Sequence, residues 1–226
     1  MATNNNGLLL VMLGPTSQIE EEFNEWLDTE HMPERLSVPG FLSGARFTAV
    51  EGQLKHLSIY DLESPDVLKS DAYEKLSPLH PSPWSHRIFR HFRGSRRNVY
   101  QQIVPGNLKT NQEASGVLLM EEDVDPDKEK AINQWYIDEH IPRLIEMPYV
   151  VGVRRFVCIE GTPKYLTVYE FSDFDLLQDA DFKKEFKDKK MRFKKEMTNV
   201  TKSIFKKYYS YTFKHIVYFR QKEKST

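Results

Sequence analysis

The chain has 226 residues, 39% hydrophobic and 29% charged, with a formal net charge of −1, which suits one large domain or two small ones with a proper core. Its single cysteine, Cys158, excludes an internal disulfide framework and a cysteine-rich metal site, so no metal is expected. Met1 to Asn6 carries no basic region, and the apolar run from Gly7 to Leu13 is too short for a signal core or a membrane span, which points to a cytoplasmic protein.

In chain order, Gly7 to Leu13 reads as a buried strand, and Gly14-Pro15 ends it. Ser17 is placed to cap a helix, with Glu20, Glu21 and Glu22 near the positive end of its dipole. Ile19, Phe23, Trp26, Leu27 and Glu30 form one face of that helix, and Pro33 and Pro39 bracket its end. Phe41 to Val50 and Leu54 to Leu62 read as a hairpin around Glu51-Gly52. Pro65 to Leu76 reads as helical, Pro78 to Pro83 as irregular, Trp84 to Phe92 as a short helix and Asn98 to Val104 as a closing strand. Pro105 to Ser115 is polar and reads as a connector.

The second half repeats the plan. Gly116 to Met120 is a strand, and Asp125-Pro126 reads as an N-cap followed by proline at the first helical position, with the helix running towards Met147. Tyr149 to Ile159 and Lys164 to Phe171 form the second hairpin, Asp181 to Met197 a helix and Ser203 to Phe213 a strand. His215 to Arg220 reads as a further strand or a docked tail, and Gln221 to Thr226 as disordered. From Asp181 onward the sequence holds 15 Lys/Arg against 5 Asp/Glu. Phe182, Phe186, Met191 and Phe193 interleave with those lysines at helical spacing, so the run is read as a solvated helix face rather than a nucleic-acid or membrane surface.

One stretch is written twice. Asn24-Glu-Trp-Leu-Asp-Thr-Glu-His31-Met-Pro33 returns as Asn133-Gln-Trp-Tyr-Ile-Asp-Glu-His140-Ile-Pro142, a constant shift of 109 residues. The same shift carries Pro39 onto Pro148, Arg46-Phe47 onto Arg155-Phe156, Glu51-Gly52 onto Glu160-Gly161 and Tyr60 onto Tyr169, without a gap. The chain therefore reads as two copies of one unit. They are a first repeat over 1–105, a linker over 106–115, and a second repeat over 116–226 with a C-terminal extension. Each copy is an α+β, ferredoxin-like β-α-β-β-α-β unit with a bare apolar sheet face. Packing the two sheet to sheet buries both faces and leaves a natural place for a ligand between them.

The motif of Trp26, His31, Pro33 and Pro39-Gly40-Phe41, repeated in Trp135, His140, Pro142 and Pro148-Tyr149, resembles the dimeric α/β-barrel superfamily, and within it the EthD-like branch. The match spans about residues 7–105 and 116–213 and looks like a fused tandem, one chain doing what the family does by dimerising. The resemblance implies a monomer or a homodimer of such pseudo-dimers. It also implies a small-molecule site near the motif histidine: the superfamily includes cofactor-free cyclases, decarboxylases, lactone isomerases and monooxygenases of aromatic or polyketide compounds, and also haem proteins. Fold alone does not choose among them.

The candidates for catalysis are His31 and His140, whose imidazoles can accept a proton near pH 7, and Tyr60 and Tyr169, which could donate to an oxyanion. Each has a structural alternative: the histidines can hold the helix-to-strand corner, and the tyrosines can be core aromatics. Arg46 and Arg155, with Trp26, Trp135 and His86, are candidates for substrate binding. Strand alternation sends Arg and the following Phe to opposite faces, and which one meets the ligand is open. Glu30 and Glu139, on the buried helix stripe, are expected to hold the neighbouring His or an Arg. His80, His86 and His91 lie in a stretch of the first copy without counterparts in the second. The chain lacks a phosphate loop, a dinucleotide glycine fingerprint, HExxH and GxSxG. The expectation is a cofactor-independent lyase, cyclase, decarboxylase or isomerase for an aromatic or polyketide-like small molecule. The alternatives are a non-catalytic binding barrel and, last, a haem-binding relative.

Overall fold

The computed structural model describes residues 6–76, 81–178, 180, 183 and 191–211. The described strands are β1 (Gly7–Pro15), β2 (Phe41–Glu51), β3 (His56–Leu62), β4 (Phe92–Val104), β5 (Gly116–Val124), β6 (Val150–Glu160), β7 (Tyr165–Phe171) and β8 (Met197–Tyr211). They close into one antiparallel barrel in the order β1-β3-β2-β8-β5-β7-β6-β4. The shift of 109 found in the sequence also carries β1 onto β5, β2 onto β6 and β3 onto β7. This is a dimeric α/β barrel contained in one chain.

Closure comes through the edges. β2 of the first half bonds to β8 of the second, and β4 of the first to β6 of the second, all antiparallel. The two sheets therefore have no free edge at these seams, which removes the exposed N–H and C=O rows that an open sheet must shield. Their inner faces carry a packed core. The odd and even positions of β1 divide by strand periodicity: Leu8, Leu10 and Met12 join Phe47, Ile59, Leu119, Phe156 and Phe205 in one core, while Leu9 and Leu13 join Phe23, Trp26 and Leu36 in another. The first core fills the barrel, and the second lies between the barrel's outer face and the helices. Between the sheets, where a ligand site is expected, these side chains form a packed core.

The barrel also holds a buried ionic cluster that ties the halves together. Arg154 donates to Asp61 at 2.7 Å, to Glu170 at 3.0 Å and to the Thr110 hydroxyl at 3.0 Å, and Asp61 also accepts from Ser43. Burial raises the Glu170 carboxyl above the usual range, with Arg154 opposing that rise.

Helix α1 (Glu20–Trp26) does not stop before Pro33. It passes through a π-turn (Leu27–His31) into α2 (Met32–Ser37), and the second half repeats this with α5 (Glu129–Trp135), a π-turn (Tyr136–His140) and α6 (Ile141–Ile145). A proline lacks the N–H for the i−4 carbonyl and crowds it; widening the preceding turn accommodates both, so the helix continues. Other boundaries also move. Ser17 makes no cap bond, since Thr16 precedes the first turn. Asp125 accepts from the Asp127 N–H in a turn, and α5 begins only at Glu129. Pro65 to Leu76 resolves into a 3-10 turn (Pro65–Lys69) and α3 (Asp71–Glu74), and α4 spans Pro83–Phe89. β4 and β8 start earlier than Asn98 and Ser203 because each pairs along most of a neighbour in its own half. Of the helix expected over Asp181 to Met197, residues 191–193 form a 3-10 turn and Met197 opens β8; Phe182 and Phe186 lie outside the described residues, as do His80, His215 to Arg220 and Gln221 to Thr226.

Candidate active site

In the first half a cavity of about 580 Å³ lies between the outer face of β1, β3 and β4 and the cover made by α1, the π-turn, α2 and α4. Leu9, Val11, Leu13, Trp26, Phe89 and Phe92 make its apolar wall, and His31, Arg35 and Tyr60 stand on it. The cover is fastened by Glu30. Its carboxylate accepts from the Ser82 hydroxyl at 2.5 Å, the Ser85 hydroxyl at 3.1 Å and the Trp26 indole at 3.2 Å, which fixes α4 against α1. Glu22 adds bonds from Trp84 and Arg87. Glu30 therefore holds neither His31 nor Arg46.

His31 rests on Trp26, ring centroids 4.4 Å apart at 34°. The π-turn places it one helical turn before Arg35. Burial, and then the Arg35 cation, hold its pKa well below the ordinary imidazole value, so the ring is neutral at pH 7 and able to accept a proton. Tyr60 is 1% exposed and its hydroxyl has no hydrogen-bond partner among the described residues. Burial raises its pKa, so the phenol stays protonated and keeps a donor available. Arg35, 6% exposed, contacts the Glu34 carboxylate only at 4.0 Å and lies 5.6 Å from the centre of the Tyr73 ring. Arg93, Arg96 and Arg97 line the same cavity, and among the described residues no Asp or Glu does.

The other predicted residues are placed elsewhere. Arg46 points to the outer side of β2, away from the barrel interior that holds Phe47, and it does not line the cavity. It is bonded to Asp28 at 2.5 Å and Asn24 at 2.6 Å and lies 4.5 Å from the centre of the Tyr208 ring. His86 is exposed on α4, 3.5 Å from Arg90. Glu139 is exposed and paired with Arg192 at 2.7 Å rather than lying on a buried stripe.

His140, 1% exposed, stacks on Trp135 at 4.6 Å and 27°, and its Nε2 is 2.9 Å from the Tyr169 hydroxyl. Tyr136 packs edge-on against the same imidazole at 5.0 Å. Arg155, whose first-half counterpart Arg46 is drawn to Asp28, is here drawn to Glu122 at 2.8 Å, with Thr167 at 3.0 Å and Asn133 at 3.0 Å. It lies 3.7 Å from the centre of the Tyr136 ring and 4.4 Å from that of Tyr165. Glu122 stands where the first half has the cavity residue Leu13, and Tyr136 where it has Leu27. The second-half motif is therefore built into a filled ionic and aromatic cluster.

Arg35 is the site residue that sequence reading missed. Ending the helix at Pro33 removed it from the stripe, yet the shift of 109 places it opposite Leu144, a buried cation against a leucine. Among the described residues no group of three or more His, Cys, Asp or Glu could hold a metal ion, and no helix is long and apolar enough to cross a membrane.

No protein-family model matches the sequence, and a search of curated proteins finds no relative in sequence. In structure the chain is similar to an anthrone oxidase-like protein (9% identity, 92% of this chain and 93% of that one, TM-score 0.64). It is also similar to a proposed monooxygenase from Fusobacterium nucleatum subsp. nucleatum (12% identity, 94% and 96%, TM-score 0.62) and, less closely, to a proposed chlorite dismutase (13% identity, 91% and 96%, TM-score 0.56). At such identities the likeness concerns the fold.

Proposed function

We propose that the chain is a small-molecule enzyme of the EthD-like branch, descended from a duplicated unit, whose reaction begins with removal of a proton from an aromatic or polyketide-like carbonyl compound. The observation that carries this reading is a neutral imidazole and a phenol without a hydrogen-bond partner among the described residues, both lining one cavity whose described lining holds no carboxylate. His31 takes the proton from the carbon next to the carbonyl, and the electron pair moves onto the carbonyl oxygen. The Tyr60 hydroxyl donates to that oxygen as its charge grows. Return of the proton at another carbon gives an isomerase; collapse of the enolate with expulsion of a leaving group from the β carbon, which departs with its bonding electrons, gives a lyase. The neighbours described as monooxygenase and anthrone oxidase-like agree with a small aromatic substrate. No cofactor is needed for the proton transfer itself.

The test uses 2-tetralone, a bicyclic ketone with acidic α-hydrogens, in deuterated buffer. Wild-type protein should speed α-hydrogen exchange, followed by NMR, and His31→Ala should abolish the acceleration while His140→Ala keeps it. Binding without exchange in the wild type would make the cavity a carrier site, the non-catalytic alternative.

A second reading is favoured by the same neutral imidazole beside arginines. His31, Arg35 and Arg93 line the same cavity and would be the residues to hold a haem, which would supply redox chemistry there. The second half does not fit a haem, since His140 is engaged by Tyr169 and enclosed by Trp135 and Tyr136. Hemin titration decides: a haem reading requires a Soret band that His31→Ala removes.

A further inference from the structure

We infer that Arg35 is an anion-binding residue, and that the natural ligand of the first-half cavity is a planar aromatic compound bearing a carboxylate. The inference rests on the cavity being the ligand site, as proposed above, and gives its substrate a charge.

A guanidinium removed from water is costly unless it is paired, and burying it unpaired is normally avoided. Arg35 is such a group. It is 94% removed from solvent by its 6% exposure, its Nη1 atom is buried without a hydrogen-bond partner, and the nearest carboxylate, Glu34, stays at 4.0 Å, beyond hydrogen-bond distance. Every other arginine of comparable burial is satisfied differently. Arg46 has Asp28, Arg154 has Asp61 and Glu170, and Arg155 has Glu122. Arg35 alone among these four faces the cavity and has its carboxylate no nearer than 4.0 Å.

The surroundings point the same way. Arg96 and Arg97 on the cavity wall are already paired, with Glu121 and Glu160, and among the described residues no acidic side chain lines the space to serve Arg35. The fold does not require the charge, because the corresponding position in the second half is Leu144, which is fully buried. A carboxylate entering the cavity would accept two parallel N–H bonds from the guanidinium fork and supply the missing counter-charge. The rest of the wall, Trp26, Phe89 and Phe92 with Leu9, Val11 and Leu13, offers stacking and apolar contact to the ring system. His31 is linked to the same event. Because the Arg35 cation lowers the proton affinity of that imidazole, neutralising Arg35 raises it, so the bound acid strengthens the base that is to act on it.

The experiment is calorimetric titration of the full chain with 2-naphthoate and with 2-naphthamide, which match in shape and differ in charge. Wild-type protein should prefer the carboxylate by about tenfold or more, in the range that a desolvated bidentate pair supplies. Arg35→Leu, the residue the second half carries, should remove the preference and leave amide binding within about twofold, with a melting temperature at or above wild type because a buried unpaired charge is gone. Arg35→Lys should keep the sign of the preference and reduce its size. His31→Gln should keep the preference, which separates this inference from the catalytic reading: a chain inert in α-hydrogen exchange that still selects naphthoate through Arg35 supports the anion site alone. Equal affinity for the two probes, failure to bind either, or an undiminished preference in Arg35→Leu would overturn it.

Discussion

The two halves start from one motif and reach opposite ends. In each, a helix with a π-turn sets a histidine on a tryptophan beside a tyrosine of the third strand. In the first half the buried arginine of the second strand is paired with Asp28 and does not line the cavity that stays open over His31 and Tyr60. In the second half that acid is Ile137, and an acid appears instead at Glu122, opposite Leu13. Arg155 pairs with it, Tyr136 and Tyr165 flank the guanidinium, and His140 is bonded to Tyr169. One carboxylate has thus moved from helix to strand between the halves, and the arginine of the second strand pairs with it in each.

That difference can be broken at several points. The largest effect is expected from His31→Ala, which should lower turnover by about 10²–10⁴-fold, the usual contribution of a placed general base. His140→Ala should leave turnover intact and cost about 1–3 kcal/mol of stability through the lost bond to Tyr169, read by chemical denaturation. Glu122→Leu leaves Arg155 buried beside Thr167 and Asn133 without its carboxylate, and should destabilise by about 3–5 kcal/mol. The reciprocal pair Leu13→Glu with Asp28→Ile should draw Arg46 into the first-half cavity and weaken naphthoate binding by about tenfold or more, given that 1.4 kcal/mol is tenfold, while the chain stays folded. Unchanged affinity would show that the carboxylate's position does not control the opening.

The smallest effect concerns pH. The folded-state pKa of His31 lies below the unfolded value, so between the two the unfolded chain binds more protons and stability rises with pH. Its contribution is full above the unfolded value of about 6.5 and is lost as pH falls through the folded one. His56, lowered by burial against the opposing pull of Glu20, adds a term of the same sign. Replacing His31 with Phe should flatten the acid-side slope by no more than about 1.4 kcal/mol per pH unit; a steeper slope would place a charged imidazole in the folded state.

Much of this was legible in the residues. The shift of 109 gave the pairing of elements, and Trp26, His31 and Tyr60 all line one cavity. The location of that cavity was not legible, for a physical reason. β1 buries Leu8, Leu10 and Met12 on one face and Leu9 and Leu13 on the other, so alternation in an all-apolar strand does not say which face meets a cavity. Arg35 was hidden by Pro33, since a proline ordinarily ends a helix and the π-turn that lets this one continue has no sequence signature of its own. Arg46 and Arg155 each stand before a phenylalanine in the second strand, and the partners three-dimensional packing brings to them, Asp28 and Glu122, separate their roles.

The most direct measurement is the side-chain ¹⁵N spectrum of the histidines at pH 7, recorded with and without 2-naphthoate. One open site in the first half predicts a neutral His31 whose ring signals move on addition of the ligand, while those of His140 stay in place. A His140 that responds, or a His31 that does not, would contradict the division of labour between the halves.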